Sequence, residues 1–253
     1  MTTDWYLPRE TPEVTSSEAT GPEVTSSAVP FVKWAGGKRQ LLPQLLSRLP
    51  ETFGCYHEPF LGGAALFFAL REAGQLSGGA VLSDVNAHLV QAYVAIRDDV
   101  EAVIEQLRQH VYESAHYYSV RALMPEALTS AERAARFIYL NRTCFNGLYR
   151  ENAKGQFNVS FGRYSNPLIC DEENLRAVAA ALQGVEIRRE DFAGVLDRAE
   201  SGDLVYLDPP YVPLSVTSSF TSYDKSGFGE AAQRRLANTF RTLAARGVNV
   251  LLS

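Results

Sequence analysis

CYHEPFLGGAALFFALREAGQLSGGAVLSD, residues 55–84, decides the fold class. CYHEP reads as a short strand and FLGGA as a tight glycine loop. ALFFALREAG reads as a helix that stops at Gly74, and AVLSD as an apolar strand ending on Asp84. Strand, glycine loop, helix, then strand with a terminal acid is the βαβ unit of a doubly wound sheet.

Working outward, residues 86–140 read as several helices, among them 86–97, about 113–123 and about 130–140. They interrupt the alternation of strand and helix. Aromatic, Asn and Gly residues dominate 144–164, which suggests a hairpin or irregular loop unit. The alternation resumes with a helix near 172–183, the strand VEIRR, a short helix after Asp191, and DLVYL running into Asp208. A polar loop, a helix near 230–245 and VNVLL complete the chain. The expected architecture is α/β, a doubly wound Rossmann-like sheet built from 30–85 and 166–253. A helical and hairpin insertion occupies 86–165. The first 29 residues are rich in Thr, Ser, Glu and Pro, and PEVTSS occurs at 12–17 and again at 22–27. Such a segment has too little apolar surface to offset its ordering entropy, so disorder is expected up to about Pro30.

With 253 residues, 46% of them hydrophobic, the chain can bury one large core. No run approaches the roughly 18 apolar residues of a membrane helix, and the N-terminus lacks a basic-then-apolar leader, so cytoplasm is the default location. Cys55, Cys144 and Cys170 lie far apart, and the four histidines show no ligand spacing; neither a disulfide framework nor a metal site is expected. The net charge of −5 argues against a generic nucleic-acid coat protein. Yet residues 31–50 carry +4 and residues 133–164 carry +5. Two basic segments on an acidic body suit a polyanion gripped at one place, although a solvated arginine face gives the same count.

FVKWAGGKRQLL, residues 31–42, poses a choice between a phosphate cradle and a plain turn. A P-loop needs Gly where Val32 stands and Ser or Thr where Arg39 stands, so that reading fails. A Gly-Gly turn before an amphipathic helix over 38–48 remains. In an open α/β sheet ligands sit outside the carboxyl ends of the strands, so His57-Glu58-Pro59, Asp84, Asp191 and Asp208 should converge on one crevice. Asp84 stands about 25 residues beyond the glycine loop, near the offset at which a carboxylate accepts from both ribose hydroxyls. The loop lacks the third glycine of a dinucleotide fingerprint, so a nucleoside fits better than a dinucleotide. A strand-ending Asp is also a common cap or turn former. Asp208-Pro209-Pro210-Tyr211 is the sharpest local signal. The two prolines fix the backbone and remove two N–H donors, leaving the Asp208 carboxylate and the Pro209 carbonyl as rigid acceptors beside the Tyr211 ring. That pair suits an aromatic amine; a proline-stiffened turn is the plain alternative.

FVKWAGGK, EPFLGGAALFF, SDVN, LNRTCFNGLYRENAKGQFNVSFGRY and DPPYVPLSVTSSFTSY, in this order, closely resemble the Dam-type (D12 class) adenine-N6 DNA methyltransferases. The resemblance runs from about Phe31 to the C-terminus. It implies an S-adenosylmethionine-dependent enzyme that swings adenine out of duplex DNA and methylates N6, commonly within GATC. By position it implies that Trp34, Gly36, Gly37 and Lys38 serve the methionine part of the cofactor. Phe60 lies against the cofactor, Asp84 takes the ribose, and Asp191 with Phe192 holds the cofactor adenine. Asp208 serves both cofactor and target amine, with Pro209 and Tyr211 completing the catalytic set. Lys33, Phe145, Asn146, Leu148, Arg150 and Tyr164 match the DNA-reading residues, Arg150 addressing a guanine edge. Ordinary core packing is the plain reading of Phe145, Leu148 and Tyr164. Ser160 stands where GATC enzymes often have Pro. Family members continue beyond the strand at 248–252, so C-terminal strands are expected to be missing, and a weakly active or inactive DNA-binding remnant is the alternative. A monomer acting on duplex DNA, with no membrane or metal partner, is expected; RNA or glutamine methylation by the same motif would be the other chemistries.

Overall fold

A computed structural model describes residues 27–34, 36–38, 40–210 and 228–253. The reading of residues 1–26 as a tail and the catalytic assignment of Tyr211 lie outside the described residues.

Five strands, β1 (Tyr56–Glu58), β2 (Ala80–Asp84), β3 (Glu186–Arg189), β4 (Leu204–Leu207) and β5 (Asn249–Leu252), form one parallel sheet in the order β3-β2-β1-β4-β5. The chain crosses from β1 outward to β2 and β3, then returns to the other side of β1 for β4 and β5. The order therefore reverses between β1 and β4, and the crevice outside their carboxyl ends is the place where such sheets take ligands. Side chains of β4 alternate between two apolar clusters. Leu204 and Tyr206 join the cluster holding Tyr56, Leu82 and Tyr93, while Val205 and Leu207 join the one holding Phe192, Leu236 and Leu243. Both faces of β4 are thus covered, which is why DLVYL reads as a continuous apolar run.

The helices are α1 (Leu42–Leu46), α2 (Ala65–Glu72), α3 (Ala87–Arg108), α4 (Ser114–Ala122), α5 (Ser130–Thr143), α6 (Glu172–Ala181) and α7 (Glu230–Ala245). Helix α1 is shorter than the expected 38–48. Pro43 sits in its first turn, where a missing N–H costs nothing, and the flanking residues close as isolated turns, Leu41 N–H to Lys38 O and Arg48 N–H to Leu45 O. Helix α3 is longer than expected. Asn86 caps it by accepting from the N–H groups of His88 and Leu89, and it continues past Arg97 through a non-helical residue, Asp99. The Asp99 carboxylate accepts from Ala102 N–H and so caps the second half, which the spacing of apolar residues alone did not reveal. Helix α5 opens on a reciprocal capping box between Thr129 and Glu132.

Between α5 and α6, residues 144–164 form a loop closed by antiparallel bridges Cys144–Phe161 and Glu151–Phe157. Its base is fastened from below by tyrosines: Tyr117 Oη donates to Val159 O at 2.9 Å and Tyr112 Oη to Gly162 O at 2.8 Å. Two residues placed in the tail by their neighbours are held by the fold: Ala28 packs against the core, and Val29 exchanges both backbone hydrogen bonds with the Asn174 amide of α6 (2.9 and 3.1 Å). A buried side chain 145 residues away supplies that partner, and local composition carries no trace of it.

Candidate active site and recognition face

At the carboxyl end of β1 the chain turns through Pro59 and Phe60 into the glycine loop. Gly62 has φ +46°, and a Cβ there would lie 2.8 Å from Trp34 Cδ1; the loop needs glycine both for its backbone angle and to let the indole approach. Tyr93 Oη donates to Gly62 O at 3.2 Å and supports the loop from beneath. Asp84, at the end of β2 and 5% exposed, accepts from Gly62 N–H (3.3 Å) and Asn86 N–H (2.8 Å). Burial pushes its pKa up to about 6 against these donors. Phe60 and Phe192 stack at 5.3 Å between centroids, with Phe228 edge-on to Phe60 at 6.0 Å and the Arg235 guanidinium 5.0 Å from the Phe192 ring. Asp191 caps the short 3-10 helix 192–197 through Ala193 N–H and pairs with Arg235.

Across the crevice, Asp208 follows β4. Lys38, only 5% exposed, lies with its Nζ 2.6 Å from Asp208 Oδ1 and donates to Gly36 O at 3.0 Å. Ser253 Oγ donates to the same Oδ1 at 3.0 Å. Burial raises the Asp208 carboxyl above the ordinary carboxylate range, and the Lys38 ammonium and the Ser253 hydroxyl oppose that rise. The stretch ending at Lys38 and the D-P-P turn are therefore joined by a largely buried ion pair, a link that nothing in either motif announces. Glu58, fully buried beside them, accepts from Tyr56 Oη at 2.9 Å, and burial pushes its pKa up to about 8.

His57 is the exception to the expected convergence. Side chains alternate along a strand, so the residue beside Glu58 points the other way, and His57 Nε2 meets Asp203 Oδ2 at 3.0 Å where β4 begins. Tyr56 and Tyr93 support the site without any signal in the sequence, because a buried tyrosine that donates one hydrogen bond has the same spacing as a plain core aromatic.

The second group lies on the 144–164 loop. Phe145 is 52% exposed, and Asn146 beside it takes a left-handed conformation, φ +53°. Core packing would have buried Phe145; instead Phe145 and Asn146 stand out on a one-turn helix. Leu148 does pack partly against the core, and Tyr164 is half-buried. Lys33 Nζ sits 3.8 Å above the Tyr164 ring, and Tyr164 Oη donates to Cys144 O at 2.9 Å. Arg150 is exposed, its guanidinium steadied by Asn158 through Nε to Oδ1 (2.7 Å) and Nη2 to the carbonyl (3.2 Å). Ser160, also exposed, lends its carbonyl to Phe145 N–H at 2.8 Å, so it belongs to the same surface. Lys33, Tyr164 and the Phe145–Gly147 turn are thus brought together around Cys144, while Leu148 and Arg150 lie farther along the same loop, whose base is fastened to α4 and α5. Among the described residues no cluster of metal-ligand type occurs and no helix is long and apolar enough to cross a membrane.

Residues 34–253 match the family model described as D12 class N6 adenine-specific DNA methyltransferase. The chain is 44% identical, over 88% of its length and 80% of the relative's, to a type II methyltransferase named M1.LlaDCHI from Lactococcus lactis subsp. cremoris. It is 42% identical to the type II methyltransferase M.MjaIII of Methanocaldococcus jannaschii, over 88% of this chain and 83% of that one. It is 34% identical to the DNA adenine methylase of Escherichia coli K12, over 88% and 79%.

Proposed function

The chain belongs to the D12 class of N6 adenine-specific DNA methyltransferases, and from that premise we propose that it methylates adenine N6 in duplex DNA at GATC, with S-adenosylmethionine as donor and the target base swung out of the helix. The observation that carries this reading is the Asp208-Pro209 turn at the switch point of the sheet, ion-paired to Lys38 and facing the same crevice as Asp84 and the Phe60–Phe192 stack.

The crevice suits such a donor. Asp84 offers a carboxylate held by two backbone N–H groups for ribose hydroxyls, and Gly62 and Trp34 give a close-packed backbone edge. Phe60 and Phe192 supply apolar ring faces for a purine. When bound, S-adenosylmethionine supplies an electrophilic methyl group on a sulfonium. The adenine amine is a poor nucleophile because its lone pair is delocalised into the ring. The Asp208 carboxylate and the Pro209 carbonyl accept its two N–H bonds, draw the nitrogen toward tetrahedral geometry and free the lone pair for in-line attack. Asp208 is not required as a strong base beforehand, because the amine's proton becomes acidic only as the new N–C bond forms. Lys38 keeps the carboxylate ionised in a site whose burial favours the neutral acid. On the loop, Arg150 reads a guanine bidentately, Phe145 and Asn146 occupy space near the extruded base, and Lys33, Leu148 and Tyr164 contact neighbouring bases or backbone.

Incubation with labelled S-adenosylmethionine and a GATC duplex is expected to label the DNA, with a GATC-free duplex as control. Equal labelling of both would overturn the sequence assignment; no transfer to either, with donor binding intact, would overturn the enzymatic one. A second expectation follows from Asp84. Only its ionised form accepts from two hydroxyls, and its pKa stands at about 6. Donor affinity measured by calorimetry should then be level above neutrality and fall about tenfold per pH unit below that value. The folded chain holds this proton more tightly than the unfolded chain does, so the same group lowers stability as pH rises from 3.8 through about 6. Asp84→Asn should bind weakly at every pH, without that inflection; an unchanged inflection would assign it to another group.

A further inference from the structure

Asn141 lies near the end of α5, 1% exposed, and its amide engages two separate segments. Oδ1 accepts from Lys33 N–H at 2.7 Å, while Nδ2 donates to Lys33 O at 2.8 Å and to Gly147 O at 3.1 Å. Both donor hydrogens and the oxygen are thus used. Taking the N–H and the carbonyl of one residue together is what a neighbouring strand does, and here a single side chain fixes the Lys33 backbone in that way. The turn Phe145–Gly147 is pressed against the same residue. Gly147 has φ +63°, and a Cβ there would stand 2.5 Å from Lys33 Cβ. Trp34 follows Lys33 directly and lies against Gly62 in the loop below β1.

We infer that Asn141 is a positioning residue for sequence recognition. It sets the exposed Phe145–Asn146 turn and Lys33 at a fixed separation, and holds both in register with Trp34 on the donor side. This rests on the reading above, in which Lys33 and the 144–164 loop touch DNA. The physical reason for a demanding site is burial. With the amide removed, the Lys33 N–H and two carbonyls lose their partner away from water, and the turn is free to drift from the position that aligns it with the bases.

The test compares Asn141→Ala and Asn141→Asp with the unaltered protein. The Asp form keeps the size and the acceptor for Lys33 N–H, but sets a carboxylate against two carbonyls. Each protein is assayed for kcat and KM on the duplex it methylates best and on single-base variants, with donor affinity measured by calorimetry. Selectivity between the best and the altered duplex is expected to fall about tenfold, mainly through KM for the best duplex, with donor affinity changed less than about threefold. If both duplexes lose kcat/KM in parallel, or if selectivity is retained, the inference is wrong. If neither variant folds, Asn141 is a determinant of the fold and the positioning role is equally refuted. Should the unaltered protein itself show no selectivity, the DNA-reading assignment fails first, independently of Asn141.

Discussion

Asp208→Asn is expected to cut methyl transfer about a thousandfold while leaving donor binding measurable, since it removes the charge that polarises the amine and keeps the side-chain volume. The assay is single-turnover transfer of labelled methyl to a GATC duplex. A rate within tenfold of the unaltered enzyme would refute the proposed role. The structure also distinguishes Asn from Ala at this position. Lys38 is 5% exposed and its ammonium lies 2.6 Å from the carboxylate. Both substitutions withdraw the counter-charge from a largely desolvated cation, at a cost of up to about 3 kcal/mol, but Ala also removes the hydrogen-bond acceptor and opens a gap beside the ammonium. Asp208→Ala should therefore melt well below Asp208→Asn, and loss of activity in the Ala form alone would mix chemistry with folding. Melting of both variants at the temperature of the unaltered protein would mean that the ion pair contributes little to stability.

Arg150→Ala should reduce discrimination at a single base pair by about 1–3 kcal/mol, that is, roughly five- to 150-fold, with little effect on transfer once DNA is saturating. The guanidinium is exposed and already steadied by Asn158, so it offers a fork whose remaining N–H groups can face a guanine edge with little further ordering. Arg150→Lys is the sharper variant: it keeps the charge that attracts phosphate and loses the fork. It should bind DNA almost as well and discriminate almost as poorly as Ala. The measurement is kcat/KM over a panel of duplexes changed at one position at a time. Uniform loss across the panel would make Arg150 a backbone contact and move the reading of guanine elsewhere.

Much of this molecule is legible in the chain because its signals are local. Gly74, the apolar run of AVLSD and the alternation resumed after 164 give the βαβ pattern, and helices α2, α4, α5, α6 and α7 fall close to where spacing puts them. The ends of α1 and α3 depart from the apolar spacing for local but subtler reasons: a proline that starts a helix late, and an aspartate that restarts one after a kink. Contacts across long separations are a different matter. The partner of Val29 stands at Asn174, and that of Lys33 at Asn141. His57 faces Asp203 rather than the crevice because alternation along a three-residue strand cannot be assigned a direction until the neighbouring strands are in place.

The amino-acid sequence by itself determined the parallel α/β class, the order of the motifs and the family, because periodicity, turn residues and motif spacing are properties of short stretches. Only the tertiary structure decided that Lys38 neutralises Asp208, that Phe145 stands exposed, and that one buried amide on α5 joins Lys33 to the turn ending at Gly147. Those outcomes depend on burial and on hydrogen bonds between residues up to 170 positions apart, and desolvation acts on a side chain only once the core has closed around it.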